Sequence, residues 1–212
     1  MRTLVIDSAT QACSVALFSD GECLAGEIRD LGRGHAEQLV PMIATLPDRG
    51  KATRIAVALG PGSFTGVRVG LAAARALAFV WDAALIGYPT LALVAAMARE
   101  RIGPDQKRAG LAVVMTGGHG EWFVQRFGAD GQSLAPLASL RPEAALTQLA
   151  DQQCVAGSAA EALVALRGWG RALPILPDAC AFPLLNPAAL TVDAHPLYGR
   201  APDARPAQAA AP

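Results

Sequence analysis

Over the first thirty positions, short apolar runs alternate with polar and glycine-containing turns. Residues 3–6, 13–18 and 22–28 each read as a strand, built from small or β-favouring side chains. Asp20-Gly21 is a two-residue hairpin signal, so the chain is predicted to open as a β-meander. Counting outward from that turn sets Ser19 against Glu22, Cys23 against Phe18 and Cys13 against Ile28. The period then lengthens to that of a helix. Leu39, Met42, Ile43 and Leu46 fall on one stripe of 35–46, with Pro41 kinking or delaying it. A buried strand at 54–59 runs into Gly60-Pro61-Gly62-Ser63-Phe64-Thr65-Gly66, which can extend neither a strand nor a helix. The strongest helix follows at 67–81. It places Val67, Gly70, Leu71, Ala74, Leu77, Ala78 and Trp81 along one stripe and Arg68 and Arg75 on another.

The same alternation continues with a strand at 84–87 and a helix at 90–101, then a polar segment at 103–108 that marks a lobe boundary. Strands at 111–116, 121–127 and near 134–137, a helix at 142–150, a strand at 153–156 and a helix at 159–166 complete the pattern. Two successive meander-then-helix halves predict a duplicated α/β lobe: an N-terminal lobe over 1–102 and a C-terminal lobe over 103–200. Residues 201–212 are mostly alanine and proline and lack the large apolar groups that offset ordering entropy, so a disordered tail is expected there.

Composition narrows the function classes. Of 212 residues, 52% are hydrophobic, enough for one sizeable core or two small lobes. Eighteen basic residues balance eighteen acidic ones, so no net field draws a polyanion to the surface and any RNA contact must be local or borrowed. Cys13, Cys23, Cys154 and Cys180 contain no C-x-x-C pair, and the hairpin count keeps Cys13 and Cys23 apart. With no signal-peptide pattern and no apolar run near the length of a membrane span, a cytoplasmic protein with reduced thiols and no membrane contact is expected.

Few residues offer chemistry. The Gly60–Gly66 loop, with Gly60, Gly62, Ser63 and Gly66, lies between a strand and a long helix. It reads either as a structural tight turn or as a phosphate cradle of backbone N–H groups. No Gly-Lys-Ser/Thr follows at P-loop spacing. Asp7 and Ser8, closing the first strand, either bond locally in the turn or hold a magnesium water or a nucleotide phosphate. His35, His119 and His195 fall in no H-x-x-x-H or H-E-x-x-H pattern, and no G-x-S-x-G is present. The sequence therefore names no catalytic residue, metal ligand or cofactor. The two apolar helix stripes read either as core or as a subunit interface, the small residues Gly70, Ala72, Ala73, Ala74, Ala76 and Ala78 leaving a surface that another helix could approach tightly.

Val5-Ile6-Asp7-Ser8, His35-Ala36-Glu37-Gln38-Leu39-Val40-Pro41 and the run from Gly60 to Gly70, G-P-G-S-F-T-G-x-R-x-G, resemble the ordered signature of the TsaB (YeaZ) family. Pro196-Leu197-Tyr198-Gly199-Arg200 is similar to that family's P-x-Y-x-R, so the likeness runs over about residues 3–200 and is stronger in the first half. The resemblance implies a two-lobed actin-like (ASKHA) fold with RNase H-like sheets. It also implies a non-catalytic scaffold for a TsaD-like subunit that puts threonylcarbamoyl on tRNA. The partners it implies are that subunit, a TsaE-like ATPase, tRNA reached only through the complex, and a second copy of the chain when TsaD is missing.

By the same resemblance the partner holds the metal. Where the catalytic relative carries H-x-x-x-H, this chain reads Tyr88-Pro89-Thr90-Leu91-Ala92-Leu93. The helices at 35–46 and 67–81 would form the partner interface through Leu39, Met42, Ile43, Leu46, Val67, Gly70, Leu71, Ala74 and Ala78. The family's D-A-R before Gly-Glu is replaced by Thr116-Gly117-Gly118-His119, leaving only the Gly120-Glu121 remnant. The rival readings are a working actin-like ATPase or small kinase using Asp7 and the glycine loop and, against the missing histidines, a metallopeptidase.

Overall fold

The computed structural model describes residues 1–199; the expected tail at 201–212 lies outside the described residues. The meander forms as expected from β1 (Arg2–Asp7), β2 (Ala12–Ser19) and β3 (Glu22–Asp30). Asp20 and Gly21 take the positive φ angles, 51° and 91°, of a tight hairpin turn. Ser19 faces Glu22 and Phe18 faces Cys23, but Leu17 then faces Ala25. Leu24 is thus an extra residue in a bulge, and Cys13 meets Arg29 rather than Ile28.

The parallel strands β4 (Arg54–Ala58) and β5 (Ala84–Tyr88) extend this sheet to the order β3-β2-β1-β4-β5. Leu4, Val5 and Ile6 of β1 are all fully buried, which requires cover on both faces. One cover is α1 (His35–Thr45) with α2 (Phe64–Trp81). The second helix begins at Phe64, ahead of the expected 67, because the Gly66 N–H donates to the Ser63 hydroxyl at 3.2 Å and caps it. At 18 residues and a mean hydropathy of 1.3, α2 is long and apolar enough to cross a membrane by length and composition, contrary to the expectation that no run reaches that size. Alanine and glycine raise its average, while Val67, Leu71 and Ala74 are buried in the core.

The buried helix α3 (Thr90–Glu100) carries the core onward, because it also packs against the second sheet. The polar segment expected as a boundary loop folds as α4 (Pro104–Ala109), with proline in its first turn and Lys107 and Arg108 in its last. β6 (Leu111–Thr116), β7 (Trp122–Phe127), β8 (Ala138–Leu140), β9 (Cys154–Ala156) and β10 (Arg171–Leu173) then form a sheet of order β10-β9-β6-β7-β8. The third strand lies at 138–140 rather than 134–137, and β10 is not foreseen by the sequence pattern. Read from its other edge, this sheet repeats the first: a three-stranded antiparallel meander extended by two parallel strands. Its far face is closed by α5 (Pro142–Gln148) and α6 (Ala160–Arg167), where Ala145, Leu149 and Leu163 pack on Val114, Val124 and Val155.

Residues 177–199, assigned by sequence to the second lobe, return to the first sheet. The Ser14 hydroxyl donates to the Pro177 carbonyl at 3.3 Å and accepts from the Ala179 N–H at 3.0 Å. In the 3-10 turn Ala179–Leu184, the Phe182 ring lies 6.4 Å from that of Phe18 and 5.7 Å from that of Tyr88. Gly87 and Thr191 exchange two backbone hydrogen bonds, and the Leu197 N–H donates to the Leu59 carbonyl at 2.7 Å. The part of this return around Pro177–Phe182 covers the face of the first sheet opposite α1 and α2, and residues 191–198 pass the β5 edge to reach α2.

Candidate functional site

The glycine loop is fitted against the β1–β2 turn. A Cβ on Gly62 would overlap the Ala9 carbonyl, one on Gly66 the Ser8 carbonyl, and one on Gly70 would meet the Ser8 hydroxyl at 2.5 Å. Ser8 Oγ donates to the Gly66 carbonyl at 2.9 Å, and the Ser63 N–H donates to the Ala9 carbonyl at 2.7 Å. The spacing of 62, 66 and 70 thus lets a loop and a helix approach a turn at backbone distance. These contacts give the loop glycines a packing role against the turn.

Asp7 is fully buried beneath that turn. Its carboxylate accepts from the Ala9 N–H at 3.0 Å and from the Tyr88 hydroxyl at 3.3 Å. Burial pushes its pKa up from 3.8 to about 7; the bonds from Ala9 and Tyr88 pull it down, and Asp178 adds a smaller upward push. Ser8 is buried as well, and neither side chain lines the cleft between the sheets.

That cleft has a volume of about 760 Å³. Its walls are the turn at 9–11, the loop at 61–64, the first turn of α2, the β6–β7 turn and residues 197–199. Arg68 sits at its mouth, with its guanidinium 3.4 Å above the Phe64 ring and Nη2 donating to the Tyr198 hydroxyl at 3.2 Å. Two turns along the same face, Arg75 donates to the Ala194 carbonyl at 2.7 Å. The two arginines of α2 therefore clamp the returning segment, and Arg68 and Tyr198, drawn from two separate sequence motifs, are direct partners. The seven-residue spacing of Arg68 and Arg75 in the sequence was the available signal, although nothing local named the target.

In the β6–β7 turn, the Gly117 N–H donates to the Glu121 carbonyl at 2.9 Å, and His119 takes a φ of 57°. Glu121 accepts from the Ser139 hydroxyl at 2.7 Å, so the surviving acidic group ties β7 to β8. The Ser158 hydroxyl accepts from the Thr116 N–H at 2.9 Å. Where the catalytic relative's histidine pair would fall, Thr90, Leu91 and Leu93 are fully buried packing residues. His35 is buried at the start of α1 while His119 and His195 are exposed, and among the described residues no group of three acidic, histidine or cysteine side chains is placed to hold a metal ion.

The residues expected at a partner interface face inward. Leu39, Met42 and Ala74 are fully buried, Ile43, Leu46, Val67 and Leu71 nearly so, Gly70 abuts Ser8, and Ala78 packs on the core. A helix turns its most apolar stripe to its own core, and of these residues only Ala78 stays partly open to solvent. The outward faces carry Ala36, Val40 and Ala44 on α1, and Ala72, Ala76, Phe79 and Val80 on α2. Phe79 is 89% exposed and Val80 75%.

Two meander-plus-parallel sheets facing across a cleft define a two-lobed protein of the actin-like (ASKHA) class. A family model described as "TsaD: tRNA N6-adenosine threonylcarbamoyltransferase" matches residues 29–163. The chain belongs to this family, in its TsaB (YeaZ) group. It is similar to the tRNA threonylcarbamoyladenosine biosynthesis protein TsaB of Escherichia coli (strain K12), with 36% identity over 116 residues, 52% of this chain and 50% of that protein. The TsaB of Haemophilus influenzae is 41% identical over 103 residues, 46% of this chain and 43% of that protein. The chain spans about half the length of the curated relatives it matches. Among solved structures, YeaZ from Pseudomonas aeruginosa superposes with a TM-score of 0.71 at 26% identity, covering 93% of this chain and 99% of that one. The ethanolamine utilization protein EutJ from Carboxydothermus hydrogenoformans shares the fold, with a TM-score of 0.51 at 13% identity over 88% of this chain and 90% of that one.

Proposed function

We propose that this chain is a non-catalytic scaffold and activator that binds a TsaD-like subunit in the cytoplasm, and that the complex forms threonylcarbamoyladenosine on tRNA. The observation that carries the reading is the outward face of α1 and α2, where Phe79 and Val80 stand in solvent beside the small residues Ala72 and Ala76. An apolar face of this kind, with small side chains that admit close helix approach, is suited to a helical partner. When the partner is missing, a second copy covers the same face. Asp7 and the glycine loop support the non-catalytic assignment, because their polar groups are engaged within the turn. A TsaE-like ATPase joins the complex. Because the charges balance, tRNA is reached through the other subunits. The two sheets are the two lobes, divided near 102/103, with 177–199 belonging spatially to the first.

The test is reconstitution of tRNA modification from TsaD-like and TsaE-like proteins with and without this chain. A full rate in its absence discards the proposal. Turnover of ATP by the chain alone at ordinary enzymatic rates would favour the kinase or ATPase reading instead.

A further inference from the structure

The first sheet ends on β3, an edge strand. Cys23 is exposed on it, and the returning segment crosses the same face. Because Leu24 is bulged, Cys23 and Gly26 lie on one face of the strand, opposite Phe18 and Ala16 respectively. Phe18 packs on Phe182 of the 3-10 turn, and Cys180 of that turn puts its sulfur directly over Gly26, in the space a Cβ there would fill. The Cys180 sulfur therefore sits over the same face of β3 that carries Cys23, near enough for each thiol to bear on the other's charge. Two thiols 157 positions apart in sequence thus meet where the returning segment touches the sheet edge.

We propose that Cys23 and Cys180 form a reversible disulfide that staples the returning segment to β3. With a disulfide oxidant such as glutathione disulfide, the exposed Cys23 thiolate attacks one glutathione sulfur, breaks the S–S bond and expels a glutathione thiolate, which takes up a proton. Cys180 then loses its proton and attacks the Cys23 sulfur of the mixed disulfide, releasing the second glutathione. Two electrons pass from the protein thiols to the oxidant, and two glutathiones leave. Burial, reinforced by Asp178, pushes the Cys180 thiol up, so this second step quickens with rising pH. Cys13 and Cys154 are buried elsewhere in the core and take no part. Closing a loop that spans most of the chain stabilises the folded state, chiefly by restricting the unfolded one.

The test treats the full chain with glutathione disulfide and reads intact mass, peptide map and Tm. The expected product is a monomer two hydrogens lighter, with one Cys23–Cys180 peptide. Its Tm is raised by about 5 °C or more, and dithiothreitol reverses the rise. Cys23→Ser, a change on an exposed edge, abolishes both the linkage and the Tm rise, whereas Cys180→Ser leaves a single stable glutathione adduct on Cys23. Glutathione retained on Cys23 of the unmutated chain, disulfide-linked dimers in place of the internal bond, or an internal bond with no change in Tm would each overturn the staple.

Discussion

Replacing Asp7 by Asn tests whether a buried carboxyl in this fold is held at a cost. In its protonated form the group is fully satisfied: one oxygen accepts from Ala9 N–H, while the other, as O–H, donates to the Tyr88 oxygen, leaving Tyr88 to donate to the Ile6 carbonyl at 3.2 Å. An Asn amide reproduces this arrangement, its NH₂ taking the place of the O–H. The folded pKa of about 7 against 3.8 is a difference of about 3 units, or about 4 kcal/mol at 1.36 kcal/mol per unit. Between pH 3.8 and 7 the folded state keeps a proton that the unfolded state has released, so stability falls as pH rises through that window and levels off above it. The Asn variant has no such slope. In urea unfolding followed by tryptophan fluorescence, its stability relative to the unmutated protein should rise by about 3 kcal/mol between pH 5 and pH 8. A difference that stays flat over that range would refute the argument, because all other titrating groups cancel in the comparison.

Gly66→Ala drives a Cβ into the Ser8 carbonyl and should cost about 2 kcal/mol or more, while Gly118→Ala, which meets open space, should change stability by less than about 0.5 kcal/mol in the same assay. Phe79→Asp should weaken binding of a TsaD-like partner by about tenfold or more in titration calorimetry and leave Tm unchanged, since the side chain touches little of its own fold. Arg68→Ala removes the contacts to Phe64 and Tyr198; with these groups exposed the loss should be about 1 kcal/mol at most, seen as faster proteolysis near 197 rather than global unfolding.

The first meander, the first two strands of the second and the strongest helix were legible because each rests on local chemistry: the Asp20-Gly21 turn, the β-favouring runs and the alanine-rich stretch after the loop. The register beyond Leu17 was not, since a bulge at Leu24 has no local marker. The short helix at Pro104–Ala109 carried its signature in plain view, proline first and Lys107-Arg108 last, but the same residues also read as a linker. Arg171–Leu173 is too short to show a period. The glycine spacing of the loop was visible; what it fits against, the turn at 8–9, is a tertiary fact. Most of the residues expected at an interface are buried within the chain, because an apolar stripe marks a face to be covered without saying by what.

The return of 177–199 to the first sheet also sets an order of events during synthesis. The strands β1 and β2 keep one face bare until the residues from 177 onward have been made. A nascent chain arrested at 176 should be digested within its opening hairpin, and a peptide covering 177–199, supplied from outside, should restore resistance.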